Sequence, residues 1–165
     1  MGIGGSIHKT EGWEGQWQRA KRWHSRLATV RSRRRKDKST AEDWDFVHAF
    51  FQNCFHLKDW LKNSGAVPGE ELNRFINEHV EMKLCRDICN GTKHLRITQE
   101  SFDADFSLTK DYVPAIYSSP RPHVNEEWLV RAGNTSVGNR SFDVFELADK
   151  CMALWGDFLS AKRLI

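Results

Sequence analysis

Apolar positions recur at spacings of three and four residues over four stretches of the chain, which predicts four amphipathic helices. The first helix begins near Trp13 and ends in the basic run after Val30, and the second spans about Ala41 to Lys62. The third begins near Glu70 and reaches at least Cys89, and the last spans about Phe142 to Arg163. Because apolar residues cover more than half of the second helix's circumference, we expect it to be the central, most buried element.

Residues 95–142 differ from these helices, because apolar and polar residues alternate in the stretches LRIT, FDADFSL and EWLVRAG. Pro-rich and Gly/Asn-rich stretches separate them, so we expect two or three short strands with a hairpin around Gly133 to Asn139. The predicted fold class is mostly α: an antiparallel four-helix bundle with a small β-hairpin insert before the last helix.

The charge of the chain is divided unevenly along its length. Residues 1–38 carry 11 Lys/Arg and three Asp/Glu, whereas the remaining residues carry 14 and 19. We therefore expect a basic N-terminal segment with one helix over residues 1–38 and a helical-bundle domain over residues 39–165. Six of the eight residues from Arg31 to Lys38 are basic, which favours either a nucleic-acid-binding segment or a solvated connector. The candidate binding residues in this segment are Arg31, Arg33, Arg34, Arg35 and Lys36.

Other classes of protein are disfavoured by the sequence. No apolar run approaches the roughly 20 residues that span a bilayer, so we expect no membrane partner and a cytoplasmic location. We expect neither a metal nor a cofactor, because no cysteine or histidine spacing matches a metal site and no glycine loop matches a phosphate site. The cysteines are expected to be buried free thiols; they are Cys54, Cys85, Cys89 and Cys151.

A polar stripe near the end of the third helix is the candidate for chemistry. If that helix continues past Gly91, then Asp87, Asn90 and His94 lie on one face, with Asp87 and His94 about 20° apart around the axis. A carboxylate or amide can fix the tautomer of an imidazole, and a histidine with a pKa near its ordinary value of about 6.5 is suited to proton transfer. Lys93 and Arg96 nearby could then hold a phosphate.

The alternative is that the third helix ends at Asn90 and Gly91. A glycine costs a helix interior about 1 kcal/mol relative to alanine, and Asn-Gly commonly ends helices. His94 would then begin the β insert. A second polar pair, His56 and Asp59, lies three residues apart on the second helix. These two side chains either face His94 across the bundle or form a buried pair that fixes helix packing.

Two motifs on these helices resemble those of a known group of proteins. The stretch FFQNCFHLKDWLKN over residues 50–63, followed by CRDICNGTKH over 85–94, is similar to bacterial helical-bundle proteins with Phe-His-x-x-Asp-Trp and Asp-x-x-Asn-x-x-Lys-His helices. Those proteins end in a helix similar to WGDFL, here residues 155–159, and they resemble the HEPN superfamily of α-helical domains. The resemblance covers residues 40–159.

Membership of that superfamily would imply a metal-independent ribonuclease that acts as a dimer. HEPN ribonucleases place an Arg and a His at the dimer interface, with four to six residues between them and often an Asn after the Arg. Asn90 and His94 match the Asn and the His. The Arg does not match, because Arg86 lies one residue too far upstream. The positive charge that stabilises a scissile phosphate would then come from Arg86 itself, Lys93 or Arg96.

Two functional hypotheses follow from these observations. In the first, the chain is a ribonuclease or a degenerate RNA-binding relative in a bacterial defence or toxin–antitoxin system. His94 would be its general base or acid, Asn90 and Asp87 would position it, and residues 31–38 would guide RNA. In the second, the chain is a non-catalytic module whose polar residues fix helix packing or a homodimer face. The expected partners are RNA and a second copy of the chain.

Overall fold

The computed structural model describes residues 8–33, 41–93, 107–115, 123–134 and 138–165. These residues form five helices: α1 (His8–Arg33), α2 (Ala41–Asn63), α3 (Gly69–Glu78), α4 (Val80–Lys93) and α5 (Val144–Ala161). They also form three strands: β1 (Ser107–Ala115), β2 (His123–Asn134) and β3 (Gly138–Asp143). The prediction of a mostly α protein is confirmed.

Helix α2 is the central helix, because it packs against each of the other four helices. Its apolar side chains project from several sides of the helix, because the sequence is apolar around most of the helix circumference. The members of this set are completely buried: Val47, Phe50, Phe51, Cys54, Leu57 and Leu61. The core therefore surrounds α2, as the sequence pattern predicts.

Helix α1 lies along α2 and also contacts α5. Trp13, Trp17 and Leu27 share its buried face, consistent with their spacing of three and four residues. Gly12 interrupts the helix near its start, with φ 58° and ψ −169°. Only glycine adopts this backbone conformation without strain, so the chain bends here before the regular part of α1 begins.

The single third helix predicted from the sequence is wrong, since α3 and α4 are separate helices. His79 lies between them in an extended conformation, with φ −115° and ψ 122°. Its imidazole Nδ1 lies 2.8 Å from the carbonyl oxygen of Phe75, the group that a continuous helix would pair with the His79 backbone N–H. The side chain therefore lies against the last turn of α3, at the point where the extended backbone of His79 ends the helix. The apolar spacing continues through this break, which is why the pattern did not reveal it.

The strands lie between α4 and α5 in the chain and form one antiparallel sheet in the order β1-β2-β3. Ser107 pairs with Arg131 in the first ladder, and Asn134 pairs with Gly138 in the second. Asp143 ends β3 and caps α5, because its side chain accepts hydrogen bonds from the next two free backbone N–H groups of that helix, at 2.9 and 3.0 Å.

Candidate nucleic-acid interface

The outer face of α1 is basic and exposed. No Asp or Glu occurs between residues 15 and 33, a stretch that contains six Lys/Arg residues. Lys21, Arg22 and Arg26 lie on the exposed side of the helix. Within the described part of the chain, no carboxylate forms an ion pair with any of these three residues. We call Lys21, Arg22 and Arg26 the α1 basic face.

Two cations of this face lie over tryptophan rings. The guanidinium carbon of Arg26 is 4.3 Å from the centroid of Trp23, and the Lys21 ammonium is 5.5 Å from that of Trp17. Trp23 is only half-buried. A cation over an indole face is attracted by the ring's negative electrostatic potential, which holds the side chain along the helix. The face therefore combines positive charge with one partly exposed aromatic ring, that of Trp23, whereas Trp17 is buried.

A second set of polar contacts holds α1 against α2. The buried amide nitrogen of Gln16 donates to the Asn53 carbonyl oxygen on α2 at 2.8 Å. The Gln16 oxygen accepts from Arg19 at 2.7 Å, and Arg19 also pairs with Glu11 at 2.8 Å. These residues hold the helix in position, so Arg19 is part of the support rather than of the α1 basic face.

A carboxylate on α5 joins two residues of α1. The Oδ1 atom of Asp149 lies 2.7 Å from His24 Nε2, and its Oδ2 atom lies 3.3 Å from a guanidinium nitrogen of Arg31. His24 lies four residues after Ala20 and three before Leu27, both of them buried, and its ring lies against Phe50, with centroids 5.6 Å apart. Its pairing with Asp149 was missed, because the two residues are 125 positions apart.

The nucleic-acid-binding residues predicted from the sequence are only partly described. Arg31 is exposed and pairs with Asp149, and Arg33 is the last residue of α1. Lys93, predicted beside His94, is the last residue of α4. The other predicted residues lie outside the described residues: Arg34, Arg35, Lys36 and Arg96. The residues that the prediction missed are those of the α1 basic face. An excess of Lys/Arg over residues 15–33 was the signal that could have found them.

Helix α4 extends past the predicted stop signal. It includes Asn90 and Gly91 and ends at Lys93, so the alternative in which the helix ends at Asn90 and Gly91 is wrong. Asp87 and Asn90 therefore lie on one stripe of a single helix. His94 is outside the described residues.

The environments along this stripe differ in exposure. Asp87 is 1% exposed, whereas Asn90 is half-buried. Arg86 donates to the Asn77 side-chain oxygen at 3.2 Å and lies 4.0 Å from an Asp87 oxygen. The carboxylate of Asp87 is too buried to contact RNA in the folded protein. Asp87 is therefore suited to positioning other groups.

The His56 and Asp59 pair is divided by the structure. His56 is half-buried, and its Nε2 atom lies 3.8 Å from the Cys89 sulfur on α4, next to Asn90. Asp59 is exposed, so the expectation of a buried pair is wrong for this residue. A three-residue step on α2 rotates the helix by about 60° from the direction of His56, which is enough to move Asp59 out of the interface. His56 therefore belongs to the α2–α4 contact.

Among the described residues, no group of three or more His, Cys, Asp or Glu side chains could hold a metal ion. No helix in the described ranges is long and apolar enough to cross a membrane. Neither a protein-family model, nor a curated protein, nor a solved structure matches the chain.

Proposed function

We propose that the chain binds RNA through the α1 basic face and the basic segment that follows it. The observation that carries the proposal is the exposure of Lys21, Arg22 and Arg26 without a carboxylate partner among the described residues. Unpaired cations along one helix attract a phosphate backbone, and each phosphate contact releases counterions from the nucleic acid. The basic residues of the segment 34–38 follow α1 directly in the sequence.

RNA is favoured over duplex DNA by the flat groups beside these charges. Unpaired bases of RNA loops stack on aromatic rings and on guanidinium planes, and Trp23 with Arg26 over its face offers such a platform. The acidic balance of residues 39–165 repels a polyanion, which concentrates binding on the N-terminal helix.

The finer architecture is part of the same proposal. An antiparallel HEPN-like bundle has four helices. They would correspond to α1, α2, the α3–α4 pair and α5, with the strands as the β-hairpin insert. The packing of α2 against all other helices supports this arrangement. The division of the chain at residue 38, a cytoplasmic location, a bacterial defence role and a homodimer remain predictions.

The salt dependence of RNA binding tests the proposed surface. We expect the logarithm of the binding constant for a labelled single-stranded RNA to fall steeply with the logarithm of salt concentration. Replacing Lys21, Arg22 and Arg26 together by Ala should make this slope shallower by about 2, because each lost contact to a single strand contributes about 0.7. Ala is also the best helix former, so α1 should remain folded in the variant.

A control with the same loss of charge separates this surface from overall electrostatics. Lys62, Arg74 and Lys150 are exposed on three other helices, and their replacement by Ala also removes three positive charges. The control should keep the slope of the unmodified protein. Equal slopes for the two variants, or no RNA binding at any salt concentration, would contradict the proposal and favour a non-catalytic interaction module.

A ribonuclease centre at the end of α4 is a second candidate function. The continuation of α4 to Lys93 favours it, because Asp87 and Asn90 then share the face on which one further helical residue would place His94. In this proposal His94 removes the proton from the ribose 2′-hydroxyl, and Asn90 and Asp87 position it. Lys93, Arg86 or Arg96 would stabilise the phosphate charge.

Cleavage in the absence of metal tests the second candidate. We expect the purified protein to cut some members of a structured RNA panel in EDTA, and His94→Ala to lose the cleavage while keeping the salt slope of RNA binding. If neither protein cleaves any RNA while both bind it, the ribonuclease proposal fails and the RNA-binding proposal stands.

A further inference from the structure

A cleft of about 410 Å³ lies between helices α3 and α5, on the surface of the protein. Five residues of each helix line it, from Glu71 to His79 on α3 and from Leu154 to Lys162 on α5. They are spaced by three and four positions, so each helix contributes a single face. The volume is within the roughly 300–1,000 Å³ of sites for small molecules. We call this space the α3–α5 cleft.

The least exposed residues of the cleft are aromatic and aliphatic. Phe75 is 6% exposed, and its ring centroid lies 4.4 Å from that of Phe158 on α5. The completely buried ring of Trp155 lies behind Phe75, with centroids 4.8 Å apart, and Leu154 is half-buried. The cleft therefore has an apolar base on which a flat ring can pack in an offset or edge-to-face arrangement.

One end of the cleft contains an ion pair. Lys162 on α5 donates to the Glu71 carboxylate on α3, and its ammonium also lies 5.8 Å from the ring centroid of Phe158. One turn later on α3, Phe75 contacts Phe158, which is one turn earlier on α5. The two helices are therefore antiparallel along the cleft. The cation and the carboxylate at this end neutralise each other.

Two carboxylates line the other end of the cleft. Glu78 follows Phe75 on α3 and Asp157 precedes Phe158 on α5, so the antiparallel order places both on the side away from the ion pair. Both are exposed, and neither forms an ion pair with a cation of the described residues. The remaining charged residue of the lining is Arg74. The unpaired charges therefore leave the cleft with an excess of negative charge.

A histidine adds a third acceptor to these carboxylates. His79 Nδ1 lies 2.8 Å from the Phe75 carbonyl oxygen, which can only accept, so Nδ1 carries the proton. In the neutral ring Nε2 is then an acceptor, and no donor of the described residues contacts it. Together with Glu78 and Asp157, the lining thus offers three acceptor side chains. A primary ammonium has three N–H donors, which matches this number.

We propose that the α3–α5 cleft binds a small arylalkylamine, a molecule with an aromatic ring and a primary ammonium group. The ring packs on Phe75 and Phe158, whose π faces also attract a nearby cation. The ammonium lies between Glu78 and Asp157. An anion of the same shape is disfavoured, because two carboxylates repel it and Arg74 alone attracts it. This inference does not depend on RNA binding, which is proposed for α1.

An NMR titration of the isotope-labelled full chain tests the proposal. Phenethylamine is the probe, and phenylpropionate is its matched anion, with the same ring and the same two-carbon linker. We expect phenethylamine to cause saturable shifts in the amide resonances of α3 and α5. Phenylpropionate should bind at least about tenfold more weakly, because its charge has the same sign as the excess charge of the cleft.

Paired substitutions locate the ammonium. Replacing Glu78 by Gln and Asp157 by Asn together keeps the shape of the cleft and should weaken phenethylamine binding by roughly tenfold. The control replaces Asp59 by Asn and Glu146 by Gln, which are exposed outside the cleft, and should leave the binding unchanged. Equal effects of the two variants, equal binding of the amine and the anion, or no saturable shift in α3 and α5 would each overturn the proposal.

Discussion

At the scale of single residues, a buried amide fastens helix α1 to helix α2. Gln16 is 1% exposed and connects α1 to the Asn53 carbonyl oxygen of α2 while its own oxygen accepts from Arg19. Both ends of the amide are thus satisfied, which is the condition for burying it without a large loss of free energy. The rotation of α1, and with it the outward direction of the α1 basic face, depends on this contact.

Replacing Gln16 by Ala should lower the free energy of unfolding by about 1–3 kcal/mol, because the buried amide and its hydrogen bond to the half-buried Asn53 on α2 are lost. Urea denaturation measures the change. Gln18→Ala is the control, since Gln18 is exposed on the same helix and its loss should change stability by less than about 0.5 kcal/mol. Equal effects of the two substitutions would show that Gln16 does not fix α1.

The candidate residues could be predicted from the sequence only where neighbours in the chain are also neighbours in space. The three-residue spacing of Asp87 and Asn90 predicted that they lie on one stripe of α4, because helical geometry places residues three apart on the same side. The pairing of His24 with Asp149 could not be found in this way. It joins residues on different helices, and helical periodicity contains no information on which helices meet.

At the scale of the helices, the structure differs from the sequence pattern at two places. One helix ends where the pattern continues, and another continues where the pattern predicts an end. His79 breaks a pattern that continues in the sequence, whereas α4 continues through Gly91, where the sequence contains a stop signal. In the first case the extended backbone of His79 ends α3, and its side chain contacts the Phe75 carbonyl oxygen of the last turn. In the second, burial of Asp87, Ile88 and Cys89 one turn earlier stabilises a helix that local propensity alone would end.

Replacing Gly91 by Ala should raise the free energy of unfolding by about 0.5–1 kcal/mol. Gly91 is exposed inside α4, and it is not among the glycines with positive φ in the described residues, so alanine fits its backbone and reduces the freedom of the unfolded chain. Gly65 is the contrasting control, because its φ of 74° makes Gly65→Ala destabilising by about 1–2 kcal/mol. Destabilisation by Gly91→Ala in urea denaturation would mean that α4 ends at Asn90.

At the scale of the whole molecule, the basic and the acidic residues are concentrated in different parts of the chain, although these parts pack together. The first 38 residues are strongly basic and the remainder is acidic, yet α1 packs its apolar side firmly on α2 and α5. A basic helix held rigidly on an acidic body presents its cations in one direction and steers a polyanion to that side. The charge imbalance was evident from composition, but the direction in which α1 presents it required the packed structure.

The measurement that tests RNA binding by α1 most directly is photochemical cross-linking of a labelled RNA to the folded protein, with the linked peptides identified by mass spectrometry. We predict cross-links in the part of α1 that contains Lys21, Trp23 and Arg26, lost at high salt and absent when the α1 basic face is replaced by Ala. Cross-links confined to α3 or α5, or an unchanged pattern in that variant, would contradict the assignment of this surface.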